Sequence, residues 1–253
     1  MTLLADDEPS PFEVVGEGAR SPWVLLCDHA GRALPRAVGS LGLEARELER
    51  HIAWDIGAAA LARELRQALD GVLILQTYSR LVIDCNRPLS SPTSIAEQSE
   101  DTSIPGNRAV PREQAELRAR AIFEPYHARI RRELDERASR GIASRLVFVH
   151  SFTPTFRGVS RAWHAGVLYL RDTRLALPLL AALRREPGLV VGDNEPYAAS
   201  ALTDYGIVEH AERRGLPYVE LEVRQDLLAD SNGVRAWAER LARLLEESAV
   251  FPE

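Results

Sequence analysis

The 253-residue chain contains no lysine; all 31 of its basic residues are arginine. That removes a Schiff-base lysine, the lysine of a Walker-type phosphate loop and a Ser-Lys dyad. It leaves recognition of any anionic substrate to arginine, whose planar fork matches a carboxylate. Cysteine is nearly as scarce. Cys27 and Cys85 are the whole complement, and both lie in apolar runs that read as strands. Buried free thiols are expected, and a four-cysteine zinc site is impossible. No apolar run approaches membrane-spanning length. The N-terminus, Met1–Pro11, is acidic and lacks the basic start and apolar stretch of a signal peptide. A cytoplasmic location is expected. The net charge of −6 gives no bulk attraction to nucleic acid or to an anionic membrane. There is no Gly-x-Ser-x-Gly elbow and no His-Glu-x-x-His helix. Gly16-Glu17-Gly18 lacks the third glycine and the preceding strand of a dinucleotide fingerprint.

Two short stretches ending in histidine stand out: Trp23-Val24-Leu25-Leu26-Cys27-Asp28-His29 and Arg145-Leu146-Val147-Phe148-Val149-His150-Ser151-Phe152. Each is an apolar run of buried-strand length that stops on a polar cluster. The carboxyl ends of strands in open α/β sheets open onto the ligand crevice. A lone histidine there reads as a hydrogen-bonded strand cap. Two of them, beside Asp28 and Ser151, read as a metal hydrolase site.

The rest of the chain alternates strand and helix. Residues 1–20 read as a loose lead-in. Strands are expected near 23–28, 72–77, 81–84, 145–149, 165–170, 188–191 and 217–223. Helices are expected near 44–69, 111–140, 173–185, 201–214 and 232–248. Residues 86–110, rich in Pro, Ser and Thr, form a long functional loop or lid. This rhythm predicts one domain over 1–253, a three-layer α/β/α sandwich with a mostly parallel or mixed central sheet.

Two further clusters carry chemistry. Arg80, Asn86 and Arg87 bracket the expected 81–84 strand. An arginine with a neighbouring asparagine can grip a carboxylate, while pairing with acidic neighbours such as Asp84 is the ordinary alternative. In Glu220-Leu221-Glu222-Val223-Arg224, alternation puts Glu220, Glu222 and Arg224 on one face and Leu221 and Val223 towards the core. That describes either a solvated edge strand or a catalytic carboxylate at a strand end.

Several segments together resemble the N-formylglutamate amidohydrolase family. They are Cys27-Asp28-His29-Ala30-Gly31, His51-Ile52-Ala53-Trp54-Asp55-Ile56-Gly57, Ser79 to Pro88, His150-Ser151-Phe152-Thr153-Pro154, Gly192 to Tyr197 and Glu222 to Leu227. Their order spans residues 23 to 240, and the versions at Asp28-His29-Ala30-Gly31 and His150 to Pro154 read as a branch of that family. The resemblance implies a fold similar to zinc-dependent exopeptidases and zinc, or another divalent transition metal, on His29 and His150. The carboxypeptidase pattern places a Glu three residues after the first His, where this chain has Arg32. Asp55 is therefore the expected third ligand, with His51 as the alternative.

The resemblance further implies that Glu222 activates water. Arg80, Asn86, Arg87 and Arg161 would hold the substrate carboxylates, with Asn194, Tyr197 and Arg224 also at the substrate. The implied reaction hydrolyses the amide of N-formylglutamate or a similar small acidic N-acyl amino acid, releasing formate and glutamate. An aminoacylase or carboxypeptidase-type amidohydrolase, and a non-catalytic binder of small dicarboxylates, are the alternatives.

Overall fold

A computed structural model describes residues 2–249. Met1 and residues 250–253, the ends of the expected 1–253 domain, lie outside the described residues. Seven strands form the central sheet: β1 (Phe12–Val15), β2 (Trp23–Cys27), β3 (Val72–Gln76), β4 (Arg145–Phe152), β5 (Ala165–Leu168), β6 (Val191–Asp193) and β7 (Tyr218–Arg224). Their order is β1-β3-β2-β4-β7-β5-β6. The pairs β3/β2, β2/β4, β4/β7 and β5/β6 are parallel, while β1/β3 and β7/β5 are antiparallel. The sheet is mixed, as the alternation of strand and helix predicts.

Five helices cover it: α1 (Ala58–Leu69), α2 (Arg112–Arg118), α3 (Glu124–Ser139), α4 (Ala176–Arg185) and α5 (Ser231–Ser248). The period-2 geometry of the strands divides the core into two layers. Leu25, Leu73, Val147, Val149, Val219, Leu221 and Val223 pack under α1, α4 and α5. Leu26, Ile74, Leu146, Phe148 and Tyr218 face α3 through Tyr126, Ile130 and Leu134. Helix α5 buries Val234, Trp237, Ala238, Leu241 and Leu245 at helical spacing. It starts on Asp230, whose side chain accepts from the amides of Asn232 and Gly233.

Several local expectations differ from what is seen. Residues 12–15, inside the stretch read as a lead-in, form the edge strand β1 against β3. Residues 81–84 are not a strand; they turn back so that Val82 N donates to Ser79 O, and Cys85 is in no strand although it is fully buried. The 44–69 segment breaks into a short helix at Ala45–Leu48, turns through 49–57, and helix α1. Gly57 enters α1 in the left-handed region (φ 83°), which side chains other than glycine adopt at a cost. The expected 201–214 helix is a π turn at Ile207–Ala211 followed by a 3-10 turn. The expected 111–140 helix is realised as α2 and α3 joined without a break through a π turn at Ala119–Phe123. No described helix is long and apolar enough to cross a membrane.

Candidate metal and amide-hydrolysis site

The site opens where β2, β4 and β7 end together. The alternation that buries Leu146 and Phe148 brings His150 to the same face of β4, and the alternation of β7 brings Glu220 and Glu222 there beside it. Glu222 pairs directly with His150 across the parallel β4/β7 ladder. His29 leaves the end of β2 two residues after Cys27. Asp55 reaches the site from the 49–57 turns, where its amide donates to the His29 carbonyl at 3.0 Å. Gly31 allows this crowding on the other side of the histidine, since a Cβ there would lie 1.9 Å from the Thr77 carbonyl oxygen.

His29, Asp55 and His150 converge, with one potential ligand atom from each lying within 4.8 Å of the others. His150 Nδ1 is 2.8 Å from Asp55 Oδ2, and His29 Nδ1 is 3.5 Å from the same oxygen. The two rings meet edge to face, centroids 4.9 Å apart. All three residues are buried, and His29 Nδ1 has no hydrogen-bond partner among the described residues. Two imidazoles and one carboxylate, with an orphaned nitrogen turned inward, form the three-donor set of an open catalytic zinc site, so the residues fit a divalent metal. His51 is not part of this set. Its Nε2 lies 3.2 Å from Glu100 Oε1, towards the 88–104 segment.

Behind the triad stands a charged layer. Asp84 Oδ1 is 2.7 Å from His29 Nε2, and its other oxygen accepts from Arg80 Nε and Nη2 at 3.2 and 2.7 Å. Arg80 Nη1 also donates to Asp55 at 3.4 Å. Burial favours the neutral acids, but Arg80 and His29 outweigh it for Asp84 and hold its carboxyl well below the usual range. His29 and His150 do the same for Asp55. Burial, with the nearby carboxylates of Asp28, Asp55 and Asp84, pushes the thiols of Cys27 and Cys85 well up and keeps them protonated, unlike an activated thiolate.

At Glu222 burial wins. Burial, with Asp55 nearby, pushes its pKa up to about 8 against the pull of His150 and Arg80. Glu220 rises well above the ordinary carboxylate value, first through burial.

These residues line one cavity of about 540 Å³ with Arg80, Asn86, Arg87 and Tyr197. Asn86 is fixed by Gly206 N donating to its Oδ1 at 3.3 Å and by its own amide donating to Asp204 at 3.5 Å. Arg87 Nη1 donates to the carbonyls of Asn86 and Thr203, and Arg87 makes no ion pair among the described residues. Three further residues expected at the substrate are held by partners within the chain. Arg161 lies over the rings of Phe156 and Tyr197, each centroid 4.7 Å from its guanidinium, and donates to the Tyr197 hydroxyl. Asn194 turns in the left-handed region (φ 50°), and its Oδ1 accepts from Tyr169 N. Arg224 sits at the end of β7, where it pairs with Asp226 and donates to the carbonyls of Arg161 and Trp163. Sequence reasoning missed Asp84 as the partner of His29, and missed the bond from Tyr126, in the segment read only as the 111–140 helix, to Asp28. Neither position carries a local signal of its contact.

The sequence model of the N-formylglutamate amidohydrolase family matches residues 21–229. The chain belongs to the N-formylglutamate amidohydrolase family. It is a hydrolase of linear amide C–N bonds. Among solved structures it is similar to the gene product Atu2144 of Agrobacterium tumefaciens, with 35% identity, 97% of each chain covered and a TM-score of 0.94. It is also similar in fold to the N-formylglutamate amidohydrolase of Ralstonia eutropha JMP134, with 20% identity, 94% of this chain and 97% of that one covered, and a TM-score of 0.65. No curated protein matches it.

Proposed function

We propose that this member of the family hydrolyses the amide of N-formylglutamate or a similar acidic N-acyl amino acid, using one divalent metal, zinc by its donor set. The observation that carries the reading is the convergence of His29, Asp55 and His150 in the cavity that also holds Glu222 and Arg87. His29, Asp55 and His150 would hold the metal, which when bound supplies Lewis-acid activation of water and of the scissile carbonyl. Glu222 takes the proton from the attacking water and passes it to the leaving amine. Its place opposite His150 on the β4/β7 ladder puts the carboxyl beside the metal-ligand candidates, where a general base must stand to reach the attacking water.

Arg87 receives the α-carboxylate. Its Nη1 is anchored on two backbone carbonyls, which aims the rest of the guanidinium fork at a bidentate partner. Arg80 instead holds Asp84 and Asp55 in place. The cavity volume of about 540 Å³ falls within the range of drug-sized ligand pockets, roughly 300–1,000 Å³, so acyl groups larger than formyl are admitted.

Product analysis after zinc reconstitution tests the reading. N-formyl-, N-acetyl- and N-succinylglutamate are compared with an N-formyl amino acid bearing an apolar side chain. Release of glutamate from at least one acidic substrate, dependent on added metal, is expected. Turnover that persists in excess chelator, or none on any N-acyl glutamate, would overturn it.

A further inference from the structure

The two histidines of the triad are turned the same way. Each directs Nδ1 at Asp55, His29 at 3.5 Å and His150 at 2.8 Å, so each directs Nε2 away from it. For His29 the group at Nε2 is Asp84, at 2.7 Å, with its second oxygen held by Arg80. For His150 the nearest acceptors at Nε2 are Asp28 Oδ2 at 3.9 Å and Glu220 Oε2 at 4.0 Å. All three of these atoms are buried without a hydrogen-bond partner among the described residues. The second oxygen of Asp28 is not free: the Tyr126 hydroxyl of α3 donates to it at 2.5 Å. Tyr126 is fully buried, and Asp28 is 2% exposed.

We propose that Tyr126 and Asp28 form a positioning pair for His150, the counterpart of Arg80 and Asp84 for His29. The inference rests on the metal reading above. A histidine that binds through Nδ1 carries its proton on Nε2, and that proton needs an acceptor. A carboxylate there fixes the tautomer and ring orientation and raises ligand basicity. Asp28 rather than Glu220 fills this place because a hydroxyl donor already fixes its other oxygen, as Arg80 fixes Asp84. At 3.9 Å the present contact is an ion-pair distance and not a hydrogen bond. It shortens to hydrogen-bond length when Nδ1 is taken by the metal and the proton resides on Nε2.

The test uses the full chain labelled with ¹⁵N-histidine and titrated with zinc alone. Zinc should bring out a slowly exchanging downfield imidazole N–H at Nε2 of His150, assigned through the long-range ¹H–¹⁵N correlations of its ring and through-space contacts to neighbouring β4 and β7 protons. In Asp28→Asn and Tyr126→Phe that signal should move upfield and exchange faster, with zinc affinity falling 10–100-fold in Asp28→Asn. Glu220→Gln should keep both the signal and the affinity. Should Asp28→Asn fail to fold, Tyr126→Phe decides, since it deletes only a hydroxyl. An unchanged signal in Tyr126→Phe, or a loss seen only in Glu220→Gln, overturns the pair. A parent protein that binds no zinc overturns the metal reading itself, and that outcome is recognised before any variant is made.

Discussion

His150 and Glu222 are direct neighbours across the parallel β4/β7 ladder. One backbone register therefore sets the spacing between a metal-ligand candidate and the proposed base. A slip of β7 by one residue would turn Glu222 into the opposite core layer, where Val223 now packs, and take it away from His150. The apolar alternation that fixes the register for packing thus also fixes it for chemistry.

The metal prediction follows from the donor set. Replacing His29 and His150 together by Ala removes both imidazoles and leaves Asp55 alone. The parent is expected to hold about one zinc per chain, as an open three-ligand site does, and the double variant almost none. Elemental analysis after dialysis reads the result. Equal zinc in the two proteins would place the metal elsewhere.

Glu222→Gln preserves shape but cannot accept a proton. Its kcat should fall by roughly 10²–10⁴-fold, the usual contribution of a general base. Zinc content and KM should stay near the parent values. Full activity in this variant would move the base to Glu220, which shares the face of β7. Loss of zinc would instead make Glu222 a ligand.

Much of this was legible in the residues. The alternation of apolar runs with helical spacing gives the mixed three-layer sheet, and the two strands that end on histidine do meet. The reason is local: a period of 2 carries Phe148 and His150 to one face whatever the tertiary context. What was hidden depends on turns and long-range pairing. Residues 81–84 are as apolar as a strand, yet Ser79 accepts from the amides of Leu81 and Val82, and Asp84 from that of Arg87, which bonds them into turns. For Arg224 alternation gives the face but not its partners, Asp226 and the carbonyls of Arg161 and Trp163. Asp28 and Tyr126 are 98 positions apart, and no pattern within either segment announces the bond.

Arg87 can be tested without disturbing the metal. Arg87→Lys keeps the charge but loses the fork and the anchored Nη1. KM for an acidic N-formyl substrate should rise about tenfold or more, the scale of one lost charge-assisted hydrogen bond of roughly 1.5–3 kcal/mol. If Arg87 holds the side-chain carboxylate, a formylated apolar amino acid should be much less affected. If it holds the α-carboxylate, as proposed, both substrates suffer alike while kcat on each is retained. A fall in kcat and zinc content together would make Arg87 structural.

Two sets of buried groups pull the pH dependence of stability in opposite directions. His127 and His210 stack with centroids 5.1 Å apart. Burial lowers His127 to about 4 and His210 well below the ordinary 6.5. Their stabilisation is whole above pH 6.5 and is lost as pH falls towards 4, because the unfolded chain then binds protons that the folded chain refuses. Glu222, raised by burial to about 8, and Glu220, raised well above its usual 4.5, do the reverse. Their contribution is whole below pH 4.5 and is lost as pH rises through the folded values. Asp55 and Asp84, held low, act only below about pH 4. His150, raised, is protonated in both states below 6.5. Between pH 4.5 and 6.5 the two histidines and the two glutamates therefore oppose each other, and the metal-free parent should show a nearly flat unfolding free energy. Glu220→Gln with Glu222→Gln removes one side of the balance. The double variant should lose about 3 kcal/mol between pH 6.5 and 4.5 from His127 alone, at 1.36 kcal/mol per unit over two units. Denaturant unfolding at a series of pH values, with chelator present, reads this directly. A double variant as flat as the parent would mean that His127 and His210 take up protons in the folded state.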